Sequence, residues 1–273
     1  MHAIYDWPIW IPVLAIFLLS LGAGELGFRY GRSHQVSDSE RDILSALRTS
    51  TLGLVALLLG FSFAITSNRH NDRSRLVMDE ANAIGTCYLR AGLVAEPASS
   101  QIRNALRRYT DMRIESFERG LDPQEFERLA IGMHATLDEL WTGVAHAVKA
   151  DRDLALTSAI VPAANEVIDL STTREWLRRY HMPPSVAWLL GLSLVLCGAV
   201  TGHALGQAGR RHVGLALGLN LLILFVAFVV LDFDRPRRGL IRVDQTPLIQ
   251  LRESMKGAQS PVLRSQRLFM PTR

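Results

Sequence analysis

The sequence predicts an all-α integral membrane protein with four transmembrane helices and a helical soluble domain inserted between helices 2 and 3. Three observations support this prediction: four long apolar windows, a polar stretch between the second and third windows, and few strand signals in that stretch. The averages over 273 residues, 48% hydrophobic and 21% charged, would equally suit a soluble protein. The distribution of apolar residues along the chain therefore decides the class.

The four windows are long and apolar enough to cross a bilayer, because roughly 30 Å of hydrocarbon needs about 20 apolar residues in a helix. They hold 22, 19, 21 and 19 residues, and Glu25 and His203 are the only acidic, basic or histidine side chains among these 81 positions. They are Trp7–Phe28, Thr49–Ser67, Ser185–Leu205 and Val213–Leu231. We expect the first window to be a retained helix and not a signal peptide, because Met1–Asp6 contains no Lys or Arg.

The 117 residues between the window pairs predict a helical domain. Ala, Leu, Glu and Arg are common there, and runs of β-branched residues are few. Proline, glycine and capping residues divide the stretch into four predicted helices. These helices are Asn71–Leu93, Ala98–Arg119, Pro123–Lys149 and Asp151–His181.

The predicted domains are residues 1–67 (transmembrane helices 1 and 2), 68–184 (soluble domain), 185–231 (helices 3 and 4) and 232–273 (a basic tail). The soluble domain has 15 basic and 17 acidic residues, whereas the tail has 9 basic and 4 acidic ones. A basic segment beside a membrane helix attracts anionic headgroups, so lipid is the predicted partner of the tail and nucleic acid is not. Counting basic residues at the membrane ends leaves the orientation undecided.

The sequence predicts no enzyme, no cofactor and no metal site. It lacks a Gly-x-Ser-x-Gly elbow, a His-Glu-x-x-His motif and a phosphate-binding Walker loop. Cys87 and Cys197 are far apart, which disfavours a disulfide framework and a cysteine-based metal site.

The second apolar window carries the candidate pore residues. Gly53, Leu57, Phe61 and Ile65 recur at every fourth position and share one helix face. Such a stripe more often faces lipid or a packed core than a pore, so all three interpretations stay open. A neighbouring polar stripe could meet water and anions at a pore mouth. It consists of Ser62, Thr66, Arg69 and Arg73.

The same helix is expected to continue out of the membrane, since no strong helix breaker follows Ile65. Beyond the membrane one face is polar and the other apolar. The polar face comprises Arg75, Asp79, Asn82, Thr86 and Arg90, and the apolar face comprises Leu76, Ala83, Ile84, Cys87 and Ala91. The polar face is either simply solvated or a docking surface.

Small residues recur at every fourth position in the last two windows: Gly198, Gly202 and Gly206, then Gly214 and Gly218. This spacing favours close helix packing, with a gating hinge as the alternative. Glu25 either faces protein, water or an arginine, or reaches the membrane interface.

Three segments resemble a bacterial family of membrane proteins described as bestrophin-like. They are Leu76–Arg90, which contains Asp-Glu-Ala-Asn-Ala-Ile-Gly, the preceding Leu59–Phe63, and Leu231–Gly239. The resemblance covers most of Thr49–Leu251. It implies a homopentameric ion channel with four membrane helices per subunit, a cytosolic helical domain, cytosolic termini and a pore lined by the second helix. It thereby implies the cytoplasmic membrane as the location.

By this resemblance Leu59-Gly60-Phe61-Ser62 corresponds to the family's neck motif, with Phe61 forming a ring at the constriction. Two residues depart from the pattern: Gly53 is too small to constrict a pore, and Ser62 stands where the family has an aromatic residue. The family has an acidic stretch where Asp232–Gly239 is mostly basic, so calcium binding is not expected.

Two functions are therefore predicted. The first is a homo-oligomeric ion channel, in which Arg69 and Arg73 at the mouth would favour anions. The alternative is a non-conducting module that is anchored by its membrane helices and binds a partner through the polar face of the helical domain.

Overall fold

The computed structural model describes residues 9–34, 37–118, 123–150, 153–179, 183–209, 211–234 and 240–257. Within these ranges the protein consists of eight helices and contains no strand, so the all-helical prediction is confirmed there. The helices are α1 (Trp10–Ser33), α2 (Asp38–Ala91), α3 (Ala98–Glu118), α4 (Pro123–Ala150), α5 (Leu154–Arg179), α6 (Pro184–Gln207), α7 (Val213–Phe233) and α8 (Thr246–Lys256).

The chain divides into two compact units. The first unit comprises residues 1–70 and 181–242, and the second comprises residues 71–180 and 243–273. Helix α2 contributes to both, because its 54 residues run without interruption past His70. The expected continuation of the second membrane helix is thus present in the structure.

Five helices in the described part of the chain are long and apolar enough to cross a membrane. Three of them contain apolar windows of the sequence, and Trp10–Ser33 contains the first window from Trp10 onward. The fifth, Leu154–Arg178 within α5, has a mean hydropathy of 1.2, the lowest of the set.

Helix α2 begins eleven residues earlier than its apolar window. Ser37 and Glu40 form a capping box at its start: the backbone N–H of Ser37 donates to Glu40 Oε2 at 2.8 Å, and the backbone N–H of Glu40 donates to Ser37 Oγ at 3.4 Å. The connection between the first two helices is therefore short, since α1 continues to Ser33 and α2 begins at Asp38.

Glycines bring α1 and α6 into close contact in the first unit. A Cβ added to Gly202 would overlap the backbone of Gly24, and one added to Gly206 would overlap the backbone of Phe28. Close helix packing is thus the role of these α6 glycines, as the spacing indicated. The prediction does not extend to α7, because a Cβ on Gly214 or Gly218 would meet nothing within 4 Å among the described residues.

The second unit has a single large apolar core. Its fully buried side chains come from α2 to α5 and include Ile84, Leu106 and Leu140. Leu248 and Met255 of α8 belong to the same core. The start of the segment predicted as a basic tail is therefore core structure, whereas residues 258–273 lie outside the described part.

Candidate functional site on helix α2

The predicted pore stripe lies on the open side of α2. Gly53 is exposed, and Leu57, Phe61 and Ile65 are 52%, 60% and 46% exposed. A Cβ on Gly53 or Gly60 would meet no described residue within 4 Å. This face of the helix is thus free to contact lipid, a pore or other copies of the chain, and its pore role remains a prediction.

The opposite face of α2 packs inside the first unit. Val55 and Leu59 are buried in one apolar cluster with Leu190 of α6 and with Ala227 and Val230 of α7. Since residues three and four apart share a helix face, the stripe that begins at Val55 continues through Ser62 and Thr66.

Ser62 and Thr66 accordingly differ from the expected water-facing stripe, because both side chains are buried in the protomer. Thr66 Oγ1 donates to the carbonyl oxygen of Ser62 at 2.9 Å and lies 3.1 Å from that of Phe63. A hydroxyl that bonds back to its own helix can be buried at little cost. Neither residue adds polar surface to the Phe61 face.

The two arginines of the expected pore mouth also lie on the inward side. Arg73 is buried, and Arg69 is about one third exposed with its Nη1 atom 3.8 Å from Asp234 Oδ1. Asp234 itself is buried at the end of α7. The charge of Arg69 is therefore turned toward an internal carboxylate.

In the second unit, the predicted polar face of α2 is largely solvent-exposed. Arg75, Asp79, Asn82 and Thr86 are exposed, whereas Arg90 is half-buried and donates from Nη1 to the carbonyl oxygen of Ala159 at 2.8 Å. On the other face Ala83, Ile84, Cys87 and Ala91 are buried, and Leu76 is partly buried. The two faces thus separate as the spacing indicates.

The structure also contains a buried ionic cluster that the sequence analysis missed. Glu80 Oε1 accepts hydrogen bonds from Tyr109 Oη at 2.5 Å and from Arg113 Nε at 2.9 Å, and Glu80 Oε2 pairs with Arg174. Arg174 also approaches Gln245 Oε1 at 3.5 Å. One carboxylate thus joins α2, α3 and α5.

Burial alone would raise the pKa of Glu80, but the charges of Arg113 and Arg174 and the hydrogen bond from Tyr109 outweigh it and hold that pKa below its ordinary value. Burial also raises the pKa of Tyr109, so its hydroxyl stays protonated and donates. The cluster is therefore ionised at neutral pH and carries a net positive charge. The sequence feature that indicates this cluster is the position of Glu80 on the apolar face of α2, three residues after Val77 and four before Ile84.

The described residues contain no group of three or more His, Cys, Asp or Glu side chains that could hold a metal ion. Cys87 is buried, and this burial raises its pKa to about 12 despite the opposing charge of Arg90. At neutral pH the Cys87 thiol is consequently protonated and unreactive.

Comparison with known proteins places this arrangement in a known fold. A crystal structure of a bacterial Bestrophin homolog from Klebsiella pneumoniae with a tyrosine-to-alanine mutation superposes with a TM-score of 0.65 at 13% identity, covering 89% of this chain and 97% of that one. The same homolog solved by Zn-SAD phasing gives a TM-score of 0.63 at 14% identity, with coverages of 91% and 96%. A membrane protein with a serine-to-alanine mutation gives 0.62 at 14% identity, with coverages of 97% and 99%.

No curated protein sequence matches the chain. The Bestrophin-like domain, in contrast, matches residues 14–248, which is most of its length. The chain therefore belongs to the Bestrophin-like family.

Proposed function

We propose that this protein is a homo-oligomeric ion channel in which α2 of each copy lines a central pore. The observation that carries the proposal is the exposed ladder of Leu57, Phe61 and Ile65 on a helix whose opposite face is packed inside the protomer. Family membership supports the same function, because the resemblance described above implies a pentameric channel with the second helix at its axis.

The ladder is suited to a hydrophobic neck. Rings of large apolar side chains can close a pore by excluding water, and Phe61 is the largest side chain of the ladder. Gly53 lacks a side chain, so the neck would be formed by the positions after it. A hydrophobic neck does not require polar residues beside Phe61 and Ile65, which agrees with the burial of Ser62 and Thr66.

The proposal uses four of the five apolar helices as membrane spans. The fifth candidate, in α5, places Ile160, Ala163 and Val167 in the core of the second unit, where they contact protein. We accordingly place α1, the apolar part of α2, α6 and α7 in the cytoplasmic membrane, with the helical domain and both termini in the cytoplasm. A cysteine introduced at Gly120 should then resist a membrane-impermeant thiol reagent in intact cells.

Ion preference is not assigned to Arg69 or Arg73, because both lie on the inward side of α2. Anion conduction therefore stays a prediction from the sequence, where Arg69 and Arg73 follow the apolar window of α2. Reversal potentials measured in asymmetric chloride solutions would test it directly.

The proposed neck is tested by Phe61→Ala in planar bilayers containing the purified full-length protein. Removing an apolar ring should widen and hydrate the constriction, so the mean open conductance or the open fraction should rise severalfold. The matched control is Phe225→Ala on α7, because Phe225 is also exposed, at 64%, and lies on a helix that the proposal places in lipid.

A wild-type protein that is monomeric and silent in bilayers would refute the channel. Equal effects of Phe61→Ala and Phe225→Ala would refute the neck assignment while leaving conduction intact.

A non-conducting docking module is the second candidate, and the exposure of Asp79, Asn82 and Thr86 favours it. It predicts that a partner captured by the wild-type protein is lost with Asn82→Ala, while bilayers containing the wild-type protein show no current. Current through wild-type protein that is unchanged by Asn82→Ala would favour the channel.

A further inference from the structure

A cleft of about 190 Å³, lined mostly by apolar residues with a few polar ones, lies between α1, α6 and α7 in the first unit. A water molecule in the liquid occupies about 30 Å³, so the cleft has room for a small polar headgroup. Its polar lining includes Ser20, Glu25, Thr201, Arg211 and Asn220. Polar and ionisable side chains among membrane helices are costly in lipid, which makes this cluster a candidate binding site.

An ion pair of opposite charges, Glu25 and Arg211, lies at the cleft. The Glu25 carboxylate accepts from Arg29 Nε at 2.9 Å and from Arg211 Nη2 at 3.2 Å. The Arg211 guanidinium also lies 4.4 Å from the centroid of the Phe28 ring, a cation–π contact that orients it. The side chains of Glu25 and Arg211 remain 38% and 56% exposed, so a ligand can reach both.

The start of α7 adds a second group that favours a negative charge. Among the described residues no side chain caps this helix at His212, and its first turn contains no acidic residue. The free backbone N–H groups of a helix N-terminus attract phosphate, and Arg211 lies two residues before the first residue of α7. Phosphate would therefore be favoured on this side of the cleft and an ammonium group beside Glu25.

Two polar side chains inside the cleft are hydrogen-bonded to protein. Ser20 Oγ donates to Asn220 Oδ1 at 2.7 Å, and Asn220 Nδ2 donates to the carbonyl oxygen of Ala216 at 2.9 Å. Thr201 lines the same cleft.

We propose that this cleft binds the headgroup of a zwitterionic phospholipid with a primary ammonium group. Arg211 and the start of α7 would hold the phosphate, and the Glu25 carboxylate would accept hydrogen bonds from the ammonium. A lipid is the source because the nearby surface is apolar and open: Leu26 is 69% exposed, and Leu215 is 76% exposed. The site is separate from the Phe61 ladder and does not depend on conduction.

Native mass spectrometry of the detergent-purified full-length protein tests this proposal. Phosphatidylethanolamine should bind at least about tenfold more tightly than phosphatidylcholine, which has no ammonium N–H to donate, and than phosphatidylglycerol, which has no cation. Arg211→Ala and Glu25→Gln should each remove about tenfold of that affinity. Arg32→Ala, a change to an exposed arginine at the end of α1, should have no effect. Glycerophosphoethanolamine, the headgroup without acyl chains, should bind far more weakly than the lipid.

The other outcomes overturn the proposal. Equal binding of phosphatidylethanolamine and phosphatidylcholine would remove the role of Glu25. Tighter binding of phosphatidylglycerol, lost only with Arg211→Ala, would make this an anionic-lipid site. Equal affinity for glycerophosphoethanolamine and for the lipid would indicate that the ligand is a soluble zwitterion. If Arg211→Ala and Glu25→Gln both bind the lipid as the wild type does, at unchanged thermal stability, the lipid binds elsewhere.

Discussion

At the scale of single residues, one buried carboxylate links three helices of the second unit. Glu80 of α2 contacts Tyr109 and Arg113 of α3 and Arg174 of α5. Because two guanidinium groups share this one acid, Glu80 neutralises positive charge that would otherwise be buried without a counter-ion. The stability of the unit should therefore depend strongly on this residue.

Glu80→Gln should lower the free energy of unfolding of the second unit by about 3–5 kcal/mol, since a buried ion pair that loses one partner leaves an uncompensated charge. Asp79→Asn is the matched control, because Asp79 is the adjacent carboxylate and is exposed; its effect should stay within about 0.5 kcal/mol. Urea unfolding of the full-length protein, followed by circular dichroism, measures both. Similar midpoints for the two variants would contradict the role given to Glu80.

The pH dependence of stability should carry the signature of the same group. The folded pKa of Glu80 lies below its ordinary value of 4.5, so its contribution is complete above that pH and is lost as the pH falls through the folded pKa. The difference in unfolding midpoint between wild type and Glu80→Gln should thus be constant from pH 8 to pH 6 and shrink below about pH 4.5. A difference that grows on acidification would contradict the assignment.

Part of this residue-scale picture was predictable. The position of Glu80 among Val77, Ile84 and Cys87 placed a carboxylate on a buried face, which indicates a buried partner. Its partners were not predictable, because Arg113 and Arg174 are two of many arginines and only the packing of α3 and α5 selects them. The same reason explains why the sequence predicts Ser62 and Thr66 in water. The spacing of residues shows which side chains share a face of a helix, but it does not show which face is covered by neighbouring helices.

At the scale of elements, the contact between α1 and α6 depends on residues without side chains. Gly24 and Gly27 of α1 face the α6 backbone, and Gly198 and Gly202 of α6 face α1. Close backbone approach maximises van der Waals contact between membrane helices, which lipid does not otherwise drive together.

Gly202→Val should therefore separate the two helices and destabilise the first unit. Gly218→Val is the control, since it makes the same change in an apolar helix at a position with open space around it. We expect detergent-purified Gly202→Val to unfold at a temperature lower by several degrees, or to be recovered in much lower yield, while Gly218→Val resembles wild type. Equal loss in both variants would attribute the effect to valine in a helix and not to this contact.

Helix boundaries were predicted best where the sequence carries strong end signals. Ala98 and Pro123, each at or next to a proline, begin α3 and α4 as expected. Hydropathy does not predict the start of α2, whereas the capping box at Ser37 and Glu40 does. The net charge of the tail does not predict α8, although Leu248, Leu251 and Met255 follow a helical spacing within it.

At the scale of the whole molecule, α2 connects the two units as one uninterrupted helix. By the 100° rotation per residue, Phe61 and Ile65 fall on the same face of that helix as Asp79 and Thr86. This face of α2 is thus apolar at Phe61 and Ile65 and polar at Asp79 and Thr86. This is the pattern expected of a helix that lines a pore with a hydrophobic neck and a hydrated continuation.

The most direct test of this account is block of the bilayer current by a charged, water-soluble thiol reagent after cysteine substitution. The native cysteines Cys87 and Cys197 are both buried, so the thiol reagent should not change the wild-type current. We predict block of Leu57→Cys and Ile65→Cys and no block of Phe225→Cys. Block of Phe225→Cys together with unaffected currents in Leu57→Cys and Ile65→Cys would contradict a pore lined by α2.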